Sequence, residues 1–245
     1  MQWLTRYFLV PKQCYQLAQN LLPWLIACWL ITLGYGLIAG LWFAPADYQQ
    51  GDGFRIIYVH VPSALLAMGI YTIMAITAII SLVFRIKLAT LVMNISAPIG
   101  ASFTFLALIT GSLWGKPMWG TWWIWDARLT SVLILFFLYI AFIAVRAAIT
   151  ETWARDRIAA WIAIIGFINI PIIHYSVQWW NTLHQGTTLD KLNPSIAPSM
   201  LYPLLAMIVS FALFYAVVLC KRLCADILYQ ERKASWVQEI AHELP

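Results

Sequence analysis

Residues 56–84 read IIYVHVPSALLAMGIYTIMAITAIISLVF, 29 residues between Arg55 and Arg85 without a single charged side chain. As a helix this run would be about 43 Å long, more than the ~30 Å of hydrocarbon in a bilayer. The pattern repeats on both sides of it. No charge falls between Lys12 and Asp47, and 28 uncharged residues separate Lys87 from Lys116. Arg128 and Arg146 are 17 uncharged residues apart, Arg157 and Asp190 are 32 apart, and Lys191 and Lys221 are 29 apart. Six helical spans result, the fourth close to the lower limit of ~17 residues for crossing hydrocarbon. A closed barrel would need short alternating segments, and the sequence has none. Composition agrees, with 62% hydrophobic residues and a mean hydropathy of +0.78. Only 10% of the residues are charged, against roughly 25% in a soluble domain. The sequence predicts an all-α polytopic membrane bundle of six transmembrane helices, one domain over residues 1–245, without linker, repeat or low-complexity run.

Lysine and arginine orient the bundle. With a cytoplasmic N-terminus, eleven basic residues lie inside: Arg6, Lys12, Arg85, Lys87, Arg146, Arg155, Arg157, Lys221, Arg222, Arg232 and Lys233. Four lie outside: Arg55, Lys116, Arg128 and Lys191. That asymmetry is the positive-inside signature and puts both termini in the cytoplasm. It also accounts for the net charge of +5, so nucleic acid is not needed as a partner. Ala44-Pro45-Ala46 resembles a signal-peptide cleavage site, but the preceding apolar stretch, Leu21 to Phe43, exceeds the 7–15 residues of a signal core. The first span is expected to stay as an anchor. Cys14, Cys28, Cys220 and Cys224 form no CxxC or CxxCH pattern, which argues against thiol chemistry and against covalent haem attachment to this chain.

On the cytoplasmic face the connections are short, Arg85 to Thr90 and Arg146 to Arg157. The outer ones, Ala44 to Arg55, Trp114 to Arg128 and Gln178 to Pro198, are longer and richer in Trp, Gly and Pro. Long loops gathered on one face of a bundle usually carry function. The second of them lies within WGKPMWGTWWIWDARLT, residues 114–130, which holds five of the chain's fourteen tryptophans. Anchoring a helix at an interface takes one or two such rings. Five, with Lys116, Asp126 and Arg128 among them, suit a flat apolar ligand bearing acidic groups. Trp119, Trp122 and Trp123 are spaced i, i+3, i+4, so one helical turn would group them on one face, with Asp126 on the same side as Trp122.

Four histidines are present. His242 falls in the cytoplasmic tail and is expected to be solvated. His174 follows Pro171 inside the fifth span; since the proline frees the carbonyl near Phe167, the simplest expectation is a buried histidine satisfying that break or a neighbouring helix. His60 and His184 sit at the outer ends of spans. His60 precedes Val61-Pro62, and because proline favours the first helical position, His60 is expected near the N-cap of the second span. A helix start disfavours a protonated ring, leaving the neutral form that a metal needs. His184 follows Trp179 and Trp180 in QWWNTLHQG. A lone interfacial histidine is usually a plain surface residue, but two on one face beside tryptophan-bearing loops favour metal ligation.

Two imidazoles without thiolates or a carboxylate cluster make a poor zinc site. Haem iron needs only one or two axial ligands, because the porphyrin supplies the rest. Its ring would rest on indoles, and Arg128, Lys116 or Arg55 would meet the propionates. Asp126 is read first as a cap for the fourth helix or as a group orienting Arg128 or an indole N–H.

The segment WGTWWIWDARLT resembles the tryptophan-rich "WWD" signature of a superfamily of haem-handling membrane proteins, which includes cytochrome c maturation proteins C and F and a larger synthase. FAPADYQQG, RIIYVHVP and HYSVQWWNTLHQG are similar to the C family in particular, and the likeness runs from about Leu21 to Gln185. The resemblance implies a haem-delivery component of the bacterial inner membrane, holding haem b non-covalently at the periplasmic face. It implies His60 and His184 as axial ligands, with Trp114, Trp119, Trp122, Trp123, Trp125, Asp126, Arg128 and Arg55 around the cofactor. The implied partners are a periplasmic haem chaperone (cytochrome c maturation protein E), the ABC-transporter pair (cytochrome c maturation proteins A and B), and a small membrane helper (cytochrome c maturation protein D). The chain carries no P-loop, so it is expected to be a binding and transfer protein rather than an enzyme, with ATP used by its partners. Two other readings compete: an electron-transfer cytochrome, which would pair histidines at membrane depth, and a small-solute permease component, in which the tryptophans merely anchor helices. Six spans argue against the larger synthase.

Overall fold

The computed structural model describes residues 10–180, 182–184 and 196–243. Helix α1 spans Pro11–Ile38 and runs on through a wider π-helical turn, Ala39–Phe43. A short 3-10 turn, Asp52–Ile56, leads directly into α2, Ile57–Phe84. Then come α3 (Lys87–Trp119), α4 (Ala127–Ala148), α5 (Thr152–Gly166) and α6 (Asn169–Trp179). Helix α7 covers Pro198–Gln230, and a short α8, Ser235–Glu243, ends the described chain. Helices α5 and α6 stack into a single span, so six helical segments are long and apolar enough to cross a membrane. The chain is the all-α, six-span bundle that the spacing of charges predicts. The short fourth gap is no obstacle: α4 has 22 residues, about 33 Å of helix.

Lipid tails are as apolar as leucine, so burying leucine cannot by itself tell one helix where to sit against another. Polar side chains do part of that work here. Tyr139 on α4 donates to the Ala67 carbonyl on α2 at 2.8 Å, and Tyr71 on α2 donates to the Ile162 carbonyl on α5 at 3.0 Å. The two tyrosine rings meet edge to face at 5.0 Å in the middle of the core. Ser96 on α3 and Tyr215 on α7 share a hydrogen bond of 2.8 Å. Around these pins the core is filled by Ile70, Met74, Met93, Leu135 and Phe142, all fully buried. Helix α2 is the hub, packed against α3, α5, α6 and α7, while α1 lies at the edge against α7.

The fifth span breaks where Pro171 lacks an N–H. The carbonyl of Phe167, which a residue 171 amide would otherwise reach, accepts instead from Ile170 N–H at 3.0 Å. Asn169, buried at the same break, donates to the Ser131 carbonyl of α4 at 2.9 Å. Asn169 thus does the work expected of His174. The expectation for His174 is corrected: its side chain is exposed on the outer surface of the bundle, in edge contact with Tyr175 at 4.7 Å. Restarting the helix at Asn169 turns Ile173 and Ser176 inward and leaves position 174 outside. The side chain of His242 lies outside the described residues.

Candidate functional site

His60 is placed first, and not at a helix start. It is the fourth residue of α2, preceded by a further turn at Asp52–Ile56, so Pro62 lies inside the helix and not at its first position. The helix begins early because Phe54, Ile57 and Tyr58 bury themselves against Leu204 and Met207 of α7. His60 therefore faces α3, whose last three turns form its seat. Its Nδ1 lies 3.0 Å from Thr110 Oγ1. Trp114, one turn further along α3, meets the imidazole edge to face at 5.6 Å. Between them is Gly111, where a β-carbon would lie 3.1 Å from His60 Cε1. Any larger residue there would press the ring back by a few tenths of an ångström. Trp114 is itself held, its Nε1 donating to Gln50 Oε1 at 2.8 Å.

Helix α3 continues through Pro117 and ends at Trp119, with Gly120 in the left-handed conformation (φ 75°) closing it. Residues 114–119 are thus the end of a helix, 127–130 are the start of the next, and the irregular connection is only 120–126. This changes the tryptophan grouping. Trp122 and Trp123 lie beyond the helix end, so the i, i+3, i+4 spacing does not place them on one face with Trp119. Trp119 and Trp123 face inward and line a single cavity with His60, Trp114, Arg128 and His184. Trp122 is 55% exposed and Trp125 78% exposed, and neither lines it. Lys116 Nζ sits 5.8 Å over the Trp122 ring and donates to the Gly120 carbonyl, while Trp125 meets Trp123 edge to face at 5.6 Å.

Asp126 caps α4: Oδ1 accepts from Leu129 N–H at 2.7 Å. It does not line the cavity, and its other oxygen is buried without a hydrogen-bond partner among the described residues. Removing the cap with Asp126→Ala is expected to cost about 1 kcal/mol of stability, seen as earlier thermal unfolding of the detergent-purified protein, with Asp126→Asn losing much less. Arg128, the second residue of α4, donates from Nε to Ser176 Oγ at 3.1 Å and also reaches the His174 carbonyl. It thereby ties α4 to α6 while lining the cavity. Arg55 is not brought in. It pairs with Asp52 at 3.0 Å and donates to the Gly40 carbonyl at 2.8 Å, joining the 3-10 turn to the end of α1.

The cavity encloses about 260 Å³ between α2, α3 and α4, with mostly apolar walls. His184 also borders it, its ring 6.3 Å from that of Trp119. One wall group stands out: Trp123 Nε1 is buried and lacks an acceptor among the described residues. Such a donor costs about 1–3 kcal/mol while unpaired, and a carboxylate is one acceptor that would satisfy it. A flat apolar group with acidic substituents and an affinity for imidazole nitrogen fits this donor set. Sequence reasoning missed Gln50, Thr110 and Gly111. Thr110, Gly111 and Trp114 do share one face of α3, but nothing in that spacing says that His60 of another helix lies against it.

Fold and site together define a six-span membrane protein with a histidine- and tryptophan-lined cavity at one end of its bundle. Residues 3–238 match the family model described as heme exporter protein C. The chain is 50% identical over 239 residues to heme exporter protein C of Escherichia coli (strain K12), covering 97% of each chain. It is 48% identical over 244 residues to the protein of that name from Haemophilus influenzae, covering 99% of each. A putative cytochrome c biosynthesis ccmC-like mitochondrial protein of Marchantia polymorpha is 47% identical over 184 residues, 75% of this chain and 78% of the relative. The chain belongs to the heme exporter protein C family.

Proposed function

We propose that this protein binds haem b non-covalently at the periplasmic face of the bacterial inner membrane and presents it to a periplasmic haem chaperone during c-type cytochrome biogenesis. Family membership supports the haem-handling role, and the names borne by the relatives supply both haem export and cytochrome c biosynthesis. The observation that carries the reading is the convergence of His60, His184, Trp119 and Trp123 on one cavity, with Arg128 and the Trp123 N–H in its wall as partners for propionates. His60 and His184 would supply axial nitrogen to the iron. The positive-inside bias of the sequence, eleven basic residues against four, supports a periplasmic position for the cavity.

In this reading the protein binds and transfers haem and is not an enzyme. The chaperone, cytochrome c maturation protein E, takes the haem covalently. Cytochrome c maturation proteins A and B, an ABC-transporter pair, supply ATP hydrolysis, and the small membrane protein D of the same system completes the assembly. An electron-transfer cytochrome is less well supported, because His174 faces outward, which leaves His60 as the one span histidine among the described residues that lines the cavity.

A pyridine haemochrome spectrum of the purified protein tests the proposal. The expected result is one haem b per chain that acidified organic solvent extracts completely. Protein purified from haem-replete cells without any haem absorbance would refute it.

A further inference from the structure

The bond between His60 and Thr110 carries more than position. Thr110 Oγ1 lies 2.6 Å from the Leu106 carbonyl oxygen of its own helix. Two oxygens cannot approach that closely without a proton between them, and a carbonyl has none to give. The single hydroxyl proton of Thr110 is therefore committed to Leu106. At 3.0 Å from His60 Nδ1, the same hydroxyl has only lone pairs left to offer. Nδ1 must then carry the proton and donate it. A second acceptor for that same hydroxyl proton, the Ala107 carbonyl, lies 3.3 Å from Thr110 Oγ1. Among the described residues, no donor other than this hydroxyl competes for His60 Nδ1.

We propose that Thr110 is a positioning residue that holds His60 as the Nδ1–H tautomer, so that Nε2 keeps the lone pair for iron. This inference rests on the haem reading above. In the opposite tautomer Nε2 would carry a hydrogen and could not ligate. A neutral imidazole in water exchanges freely between the two forms, whereas a buried one follows its hydrogen-bond partner. Thr110 sits in the third span and is 7% exposed, so its hydroxyl is largely shielded from water. Donation from Nδ1–H also makes the ring a stronger donor to iron and favours the ferric state.

The test compares wild type with Thr110→Val, which keeps the β-branched shape, and Thr110→Ser, which keeps the hydroxyl. Thr110→Val is expected to bind haem at least ~10-fold more weakly, the lower end of the usual effect of losing such a partner. Its bound haem should have a more positive reduction potential, and Thr110→Ser should restore both properties. An unchanged affinity and potential in Thr110→Val would overturn the inference, as would failure of the serine to restore them. Should Thr110→Val not fold, ¹⁵N-histidine spectra of the haem-free wild type decide the matter, with His60→Gln assigning the resonance. An Nδ1–H pattern upholds the proposal, and an Nε2–H pattern overturns it. Absence of haem from the wild type would instead refute the functional reading on which the inference stands, so the two failures are distinct.

Discussion

Replacing His60 and His184 together by alanine is expected to remove the Soret band of the purified protein, with haem content falling at least tenfold. The single variants should differ from one another. His60 is seated against α3 by Thr110, Gly111 and Trp114, so its nitrogen is held before haem arrives and binding does not have to order it. His184 lies at the border of the cavity beside Trp119. The loss on removing His60 should therefore be the larger, and added imidazole should rescue His184→Ala better than His60→Ala. Each single variant should keep a weakened, shifted Soret band, because the apolar walls still shelter the ring from water. The measurements are the Soret position and intensity per chain, together with protein abundance in membranes. A full band in the double variant would remove both histidines from the account.

The second large effect concerns the four tryptophans of residues 119–125, which the structure divides into two pairs. Trp119 and Trp123 line the cavity, while Trp122 and Trp125 face outward. Losing a large aromatic from an apolar wall costs about 2 kcal/mol, or roughly thirtyfold in affinity. Trp119→Ala and Trp123→Ala should each lower haem affinity by about that factor, and Trp123→Ala also removes the unpaired indole donor. Trp122→Ala and Trp125→Ala should leave the Soret band of the purified protein in place. Haem titration of the four variants checks this. Equal losses at all four positions would mean that the segment acts as one structural unit and that the inward pair has no special role.

The span count was legible in the charges alone, for a simple reason. A charge inside hydrocarbon costs several kcal/mol, so every long uncharged gap is a statement about solvent that holds whatever the helices pack against. The cap at Asp126 was legible too, since capping depends only on the next three residues. Helix ends were less so. The turns at 114–119 and 52–56 are helical because their side chains pack against other spans, and the pattern of tryptophans and prolines around them suggests loops. His174 was misplaced because Asn169, five residues earlier, satisfies the break from the other side.

What the sequence by itself determined is the set of segments that leave water, and the residue types gathered at one end of them: indoles, two histidines and a few cations. Hydrophobicity and charge are properties of each residue, so they survive without a fold. Only the tertiary structure decided which indoles face the cavity, that Arg55 turns to the end of α1, and that Thr110 of the third span meets His60 of the second. Those outcomes depend on the rotation of each helix against its neighbours. In a bilayer that rotation is set by close packing and a few hydrogen bonds, whose partners lie tens of residues apart in the chain.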